Sequence, residues 1–454
     1  MTVDASSLAP ALAFALGGAA VSACLGGALG LTMGTLDGPG RRLSVGLAVA
    51  LLAAPPAFWW IGLTRLSLVF GHASGALPGA VLAGVLLAPI SMLLVLAAVR
   101  EMPISAYEAA RLSLGPVRRV WRVLVPSVRP ALIAGFLLTG ILLLGESEVP
   151  FLFGFRTSMT DVVTTFSQTF SAGRTMPIIL PLLGVVLAIA LAMVSPLFQI
   201  ILSAATTGRG VVRRRGHWTT TVVMFTLPAV AGLSVGGYMR AALAGGLGRR
   251  LAIAPASVAA SVAEPVFCAF TALFLAVAFV YPLRRHAASR VIAVVGLLVF
   301  CVPTAVTAIG WIAVGQALGT SFSPGVAHVS RTVGLAALGF LTAYARVPMS
   351  YEQAADLVPL PAGRRAWTLT LPMLRPSLVA VAALVAALIF ADRDVGSLLL
   401  APGDSRLMLD LYLLSANAPS ATVGAMALVV LTAGAATIAL ASAGPAVLWW
   451  PRRE

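Results

Sequence analysis

Lysine is absent: all 30 basic residues are arginine. A P-loop sets a lysine on the nucleotide phosphates, so the chain carries no standard ATP site of its own. Schiff-base and lysine-nucleophile chemistry are excluded as well. Charge of either sign is scarce, at 10% of 454 residues, where an average soluble domain carries about 25%. Cysteine is almost missing, and Cys24, Cys268 and Cys301 stand alone in apolar runs, read as packing residues with no disulfide or metal spacing. The four histidines are scattered and form no zinc pattern, so no metal site is assigned. No nucleophile–base constellation appears, which argues against an enzyme.

What is present is apolar. Hydrophobic residues make up 59% of the chain and mean hydropathy is +1.00. Fifteen acids and 30 bases cannot cover a water-soluble fold of this length. The net charge of +15 therefore does not signal a nucleic-acid partner. The expected fold class is all-α, a polytopic membrane protein. A spanning helix needs about 20 apolar residues. Such runs occur near 8–36, 43–70, 78–99, 130–149, 177–204, 219–238, 257–283, 290–318, 325–347, 376–391 and 422–450, about 11 in all. The run at 376–391 is short unless it extends through the charges at 392–394.

Arginine placement sets the expected orientation. With the N-terminus outside and the C-terminus cytoplasmic, 21 of the 30 arginines fall on the cytoplasmic side. The awkward segment is 240–250, whose Arg240, Arg249 and Arg250 fall outside. The opening MTVDASSLAP has no positive n-region and is not read as a cleaved signal peptide.

Two Arg-rich loops repeat each other. One reads YEAARLSLGPVRRVWRVLVPSVRPAL from Tyr107, the other YEQAADLVPLPAGRRAWTLTLPMLRPSL from Tyr351. From the arginine pairs onward the offset is a constant 246: Arg118 and Arg119 match Arg364 and Arg365, Trp121 matches Trp367, and Pro126 matches Pro372. Ahead of the pairs the registers differ by a gap of one or two residues. Both copies must face one side, so the repeats are parallel, as five spans, a linker helix at 219–238, and five more. The expected division is a first half 1–207, a basic cytoplasmic linker 208–218 and a second half 219–454. Each loop reads as a helix, a break at Gly or Pro, and a short basic amphipathic helix lying on the membrane surface. Anchoring to anionic lipid is the plain interpretation of one such loop. Matched spacing in two copies calls for more, because lipid needs no fixed register.

The paired loops resemble the cytoplasmic EAA loop of ABC importer permeases: Glu-Ala-Ala, a Gly a few residues on, and Leu-Pro near the end. Glu108, Ala109, Ala110, Gly115 and Pro126 match in the first copy, with Val125 in place of Leu, Gly one residue late and Pro one early. In the second, Gln353, Ala354 and Ala355 take the Glu-Ala-Ala slots, or Glu352 the acidic one; Leu371-Pro372 follow, and Pro359 replaces Gly. The resemblance covers most of the chain as a fusion of two permease units. It implies coupling helices seated on two copies of a separate ABC ATPase, which holds the ATP and Mg. It also implies an extracytoplasmic solute-binding protein, a bacterial inner-membrane location, and alternating access of the two halves. Arg118, Arg119, Arg364 and Arg365 would pair with acids on the ATPase, and contact with membrane lipid is compatible with that role.

The 246 offset reaches further. Glu146 matches Asp392 and Glu148 matches Asp394. Acids bordering a span are candidate path residues; Glu146 lies roughly 24 Å along the helix from Pro130. The two pairs are expected to face each other and line a cationic path. The alternative is a solvated helix end, or pairing with Arg156, Arg174 or Arg406. Glu264 reads first as an interfacial acid near Arg249 or Arg250 and second as a path residue. The glycines of GGALGLTMG (26–34) fit close helix packing, and Trp59, Trp60, Trp449 and Trp450 read as interface anchors. The tail LLLAPGDSRLMLDLYLL (398–414) is similar to a segment of fused iron(III) importer permeases, which puts iron(III) first among substrates. Two other classes stay open: an ion-gradient-driven secondary transporter, and a non-transporting membrane relic or scaffold.

Overall fold

The computed structural model describes residues 7–37, 41–66, 74–102, 104–205, 214–215, 225–244, 255–283, 286–347, 350–351, 353, 357 and 361–448. The chain is an all-α polytopic membrane protein. It forms two compact units, Met1–Ala241 and Ala242–Glu454.

The first unit is built on α1 (Leu8–Thr35), α2 (Arg41–Leu51), α3 (Pro56–Leu66) and α4 (Ala76–Arg100). The Arg-rich loop supplies α5 (Ile104–Ser113) and α6 (Pro116–Arg119), and a π-helical segment Val120–Leu124 runs into α7 (Val125–Leu144). Then come α8 (Glu148–Leu152), α9 (Ser158–Thr169), α10 (Ala172–Ala205) and α11 (Thr226–Ala244). The α1–α4 seam explains the glycine-rich first span. A Cβ on Gly30 would stand 2.7 Å from the Met92 carbonyl oxygen, and one on Gly34 would stand 2.6 Å from Val99 Cγ1. In a bilayer, where apolar burial between helices gains little, such close backbone approach supplies the packing. A polar node locks the same seam: the buried Ser22 hydroxyl donates to Leu87 O at 3.2 Å and lies within hydrogen-bond distance of Ser91 (3.2 Å) and Thr139 (3.1 Å).

The second unit is built on α12 (Pro255–Leu283), α13 (Ala287–Cys301), α14 (Thr304–Leu318), α15 (Pro324–Tyr344) and α16 (Ala362–Arg365). A π-helical segment Ala366–Thr370 leads into α17 (Leu371–Ala391), followed by α18 (Asp394–Leu399), α19 (Leu407–Asn417) and α20 (Ser420–Leu448). Its core joins Leu273 and Val280 of α12, Phe340 of α15, and Leu378 and Val385 of α17.

Among the described residues eight helices are long and apolar enough to span, or nine if the bent pair α13–α14 counts as one span. Several of the about 11 expected runs take a different shape, for physical reasons. The run at 43–70 breaks before Pro55-Pro56 into two 11-residue helices, because proline cannot donate into the preceding turn. The run at 290–318 bends by 97° at Val302-Pro303. The run at 219–238 is a 19-residue helix shifted to Thr226–Ala244. The span at 376–391 gains its length backward, as one helical run Gly363–Ala391, and not through 392–394. The amphipathic stretches therefore do not lie on the surface as separate helices; each is the first turns of a span.

Trp59 and Trp60 are also not interface anchors. Both are buried, and Trp59 Nε1 donates to Leu51 O at 2.9 Å across the break between α2 and α3. Trp449 and Trp450 lie outside the described residues. Through Ala241, α11 belongs to the first unit. Tyr238 Oη donates to Phe58 O at 2.6 Å and Ser234 Oγ to Trp59 O at 2.9 Å. The compact first unit thus runs past the 208–218 linker, of which only 214–215 are described. Of the cysteines, Cys268 and Cys301 are buried and Cys24 is exposed.

Candidate functional site

The first Arg-rich loop is a helix, a two-residue break at Leu114-Gly115, and a helical run that continues into α7. On α5, Tyr107 and Ala110 are three apart and turn inward, each 6% exposed, while Glu108 and Ala109 face out. Tyr107 joins a cluster with Val95, Val99, Leu124 and Val128, so α5 is pinned to α4 and α7. Leu114 N donates to Ala110 O at 2.9 Å to close α5; Gly115 follows, and Pro116 opens α6. A Cβ at Gly115 would meet nothing within 4 Å, so that glycine is not forced by crowding. Arg118 and Arg122 are exposed, as is Pro126. Arg119 is half-buried with its guanidinium 5.4 Å above the Tyr107 ring. Leu112, Val117 and Trp121 are left exposed, a contiguous stretch of loop presenting apolar and basic side chains together.

The second loop is similar where it is described. Arg364 is exposed, Arg365 and Pro372 are half-buried, and Trp367 is exposed. Gln353 is exposed, whereas Glu352, Ala354 and Ala355 lie outside the described residues. The π segments Val120–Leu124 and Ala366–Thr370 start 246 residues apart. A π turn adds one residue to an α-helix and is costly to keep. Here it recurs at one register in two loops.

The acids at the far ends of α7 and α17 take matching local positions. Glu146 Oε1 accepts from the backbone N–H of Glu148 at 2.8 Å and of Val149 at 3.3 Å, at the start of α8. Asp392 Oδ1 accepts from Val395 N–H at 3.3 Å, at the start of α18. A carboxylate at a helix start satisfies donors that lack an intrahelical partner. Glu148 is buried, and Asp394 pairs with Arg393 at 3.0 Å. Arg156 pairs with Asp161 at 2.9 Å.

The second unit also gathers charges that the sequence kept apart. After the turn at Gly403 (φ 94°), the 398–414 tail folds back onto α12. Ser405 and Ser257 hydroxyls are 2.6 Å apart, and Leu407 N donates to Ser261 Oγ at 3.0 Å. That return carries Arg406 to Glu264, with Nε at 2.8 Å and Nη2 at 2.7 Å from Oε2. Glu264 is therefore held within the unit by Arg406; Arg249 and Arg250 lie outside the described residues. His328, on α15, lies 3.8 Å from Glu264 and 3.9 Å from Asp392. Arg331, one turn further, donates from Nε to Val302 O at 3.1 Å and lies over the Phe300 ring. Sequence reading missed His328 and Arg331. The available signal was two ionisable residues three apart inside an apolar span. Among the described residues no group of three His, Cys, Asp or Glu side chains is placed to hold a metal ion.

Residues 26–207 match the family of the binding-protein-dependent transport system inner membrane component. The matched segment holds the first Arg-rich loop, its π segment and the Glu146 turn, and it ends before the second unit. A match of this kind fits the membrane part of an ABC importer permease. No curated protein and no solved structure matches the chain.

Proposed function

We propose that the chain is the permease subunit of an ABC importer, with two permease halves fused in one polypeptide. The observation that carries this reading is the match of residues 26–207 together with the second Arg-rich loop, which enters its span through a π segment at the same 246 offset. In this reading both loops lie in the cytoplasm, with the N-terminus outside and the C-terminus inside. Each seats on one copy of a separate ATPase that binds ATP and Mg. Exposed Leu112, Val117 and Trp121 supply the apolar contact, and Arg118 and Arg364 the charge that selects an acidic groove. Tyr107, held under Arg119, keeps α5 rigid against α4 and α7, so that ATPase closure moves the spans as a body. An extracytoplasmic binding protein delivers the solute. Iron(III) is placed first because of the 398–414 resemblance. Glu146, Glu148, Asp392 and Asp394 remain path candidates beside their capping role.

The test is capture of the tagged chain in mild detergent, with mass spectrometry of what comes with it. A comparison protein carries Arg118→Glu, Arg119→Glu, Arg364→Glu and Arg365→Glu. An ATPase that accompanies the native chain and is lost from the charge-reversed one is the expected result. Recovery of the chain alone, in conditions that preserve a known importer complex, would contradict it.

A further inference from the structure

Asp392 and Asp394 of the charged cluster have counterparts in Glu146 and Glu148, but three of its other members do not. Ahead of the loops the matching offset is 248, as in the helix starts Pro56 and Thr304, and Ala76 and Pro324. At that offset Glu264, His328 and Arg331 correspond to Leu16, Ala80 and Ala83. Ionisable side chains are costly within spans, so three that stand in the second half alone call for a role of their own.

Its chemistry lies in the ring of His328, whose side chain is 7% exposed. Nε2 stands 3.8 Å from Glu264 Oε1, and Nδ1 stands 3.9 Å from Asp392 Oδ2. A neutral imidazole carries a proton on one nitrogen only. In either tautomer the other nitrogen turns a lone pair toward a carboxylate oxygen. Glu264 Oε1 is buried without a hydrogen-bond partner. The neighbouring charges are already engaged. Arg406 holds Glu264 Oε2, Arg393 holds Asp394 Oδ1 and lies 4.0 Å over the Tyr412 ring, and Thr304 donates to Asp394 Oδ2. Arg331 bonds Val302 O and acts on Asp392 through its field. Three carboxylates face three guanidiniums, and the trio of Glu264, His328 and Asp392 is one proton short of mutual hydrogen bonding. A proton added to His328 gives a donor toward each carboxylate. Added to Asp392, it leaves the carboxyl donating to Nδ1 and Nε2–H directed to Glu264.

We propose that Glu264, His328 and Asp392 form a proton-binding site that, when occupied, ties together α12, α15 and the end of α17. The site lies at the end of the second unit opposite its Arg-rich loop, since α15 runs from His328 toward that loop and α17 runs back from it. A small cleft of about 30 Å³, also lined by Ser261, Pro324, Phe390 and Arg406, adjoins it. Losing the proton sets two carboxylates against a ring lone pair and loosens the three elements. Burial pushes the carboxyl of Asp392, just beyond α17, up to about 7; Arg331 opposes this and Asp394 adds to it. A carboxyl raised in the fold binds its proton more tightly there than in the unfolded chain. Its stabilisation is present at low pH and is lost as pH rises from the ordinary carboxylate range through about 7. The inference does not depend on the permease reading.

The test uses the full chain purified in detergent, with thermal unfolding and carboxylic-acid infrared absorption followed from about pH 5 to pH 8.5. The native chain should lose a carboxylic-acid band as pH rises through about 7, and its melting midpoint should fall with it, by on the order of 5 °C. Asp392→Asn, which copies the neutral acid, should lack that band and melt independently of pH. Glu264→Gln, which removes one of the facing carboxylates, should displace the midpoint pH of the band and of the melting transition; it decides the matter if Asp392→Asn does not accumulate. A flat native profile, or a band and slope unchanged in the variants, would overturn the proposal.

Discussion

At the scale of single residues, the second unit concentrates its electrostatics in a few side chains whose partners come from far along the chain. Arg406 meets Glu264 142 residues away, through the turn at Gly403. Removing one member of a largely buried ion pair leaves the other charge unpaired, which costs more than replacing both. Arg406→Met should therefore destabilise the detergent-solubilised chain by about 3 kcal/mol, while Arg406→Met combined with Glu264→Gln should recover most of that loss. Unfolding midpoints of the two singles and the double decide it; a loss in the double equal to the sum of the two single losses would show the pair is not coupled. Sequence alone made Glu264 a path or interface candidate but gave no way to find its partner, because a tertiary return sets the pairing. Tyr107 is the opposite case. It stands at the head of the first repeated loop, yet the motif drew attention to Glu108 and Ala109, which face out. The neighbour that holds the loop was visible and unweighted.

At the scale of elements, proline and the π turn decide what hydropathy could not. An apolar window of 28 residues at 43–70 reads as one span, and Pro55-Pro56 makes it two short helices. Hydropathy also cut α7 and α17 short at Pro130 and Pro376, because the basic turns ahead of them look like surface. In the structure each loop continues into its span through five π-helical residues. One extra residue rotates everything before it by about 100° relative to the span. Deleting Val120 should convert the first segment to plain α-helix and turn Arg118 and Arg119 away from their present direction. The expected outcome is a chain that still inserts in the membrane and captures the ATPase at least ten-fold less well (about 1.4 kcal/mol of lost affinity). Undiminished capture by the deletion variant would mean that the π turn does not set the loop's aim.

At the scale of the whole molecule, the all-α polytopic class was legible and the course of several helices was not. The RRxW and PxxRP patterns at a fixed offset of 246 located two loops, and the same offset relates the π segments and the capped turns after α7 and α17. The unit boundary at Ala241 was not legible, since the attachment of α11 rests on Tyr238 and Ser234 reaching carbonyls 180 and 175 residues away. The two units also differ in kind: small residues and hydroxyls join the helices of the first, whereas the second adds a cluster of ionisable groups. The central claim is that one chain presents two loops to two ATPase subunits, and native mass spectrometry of the captured complex tests it most directly. The account predicts a particle of one chain and two ATPase copies, reduced to one copy when Arg118 and Arg119 alone are reversed to glutamate; a particle that never holds more than one ATPase would contradict it.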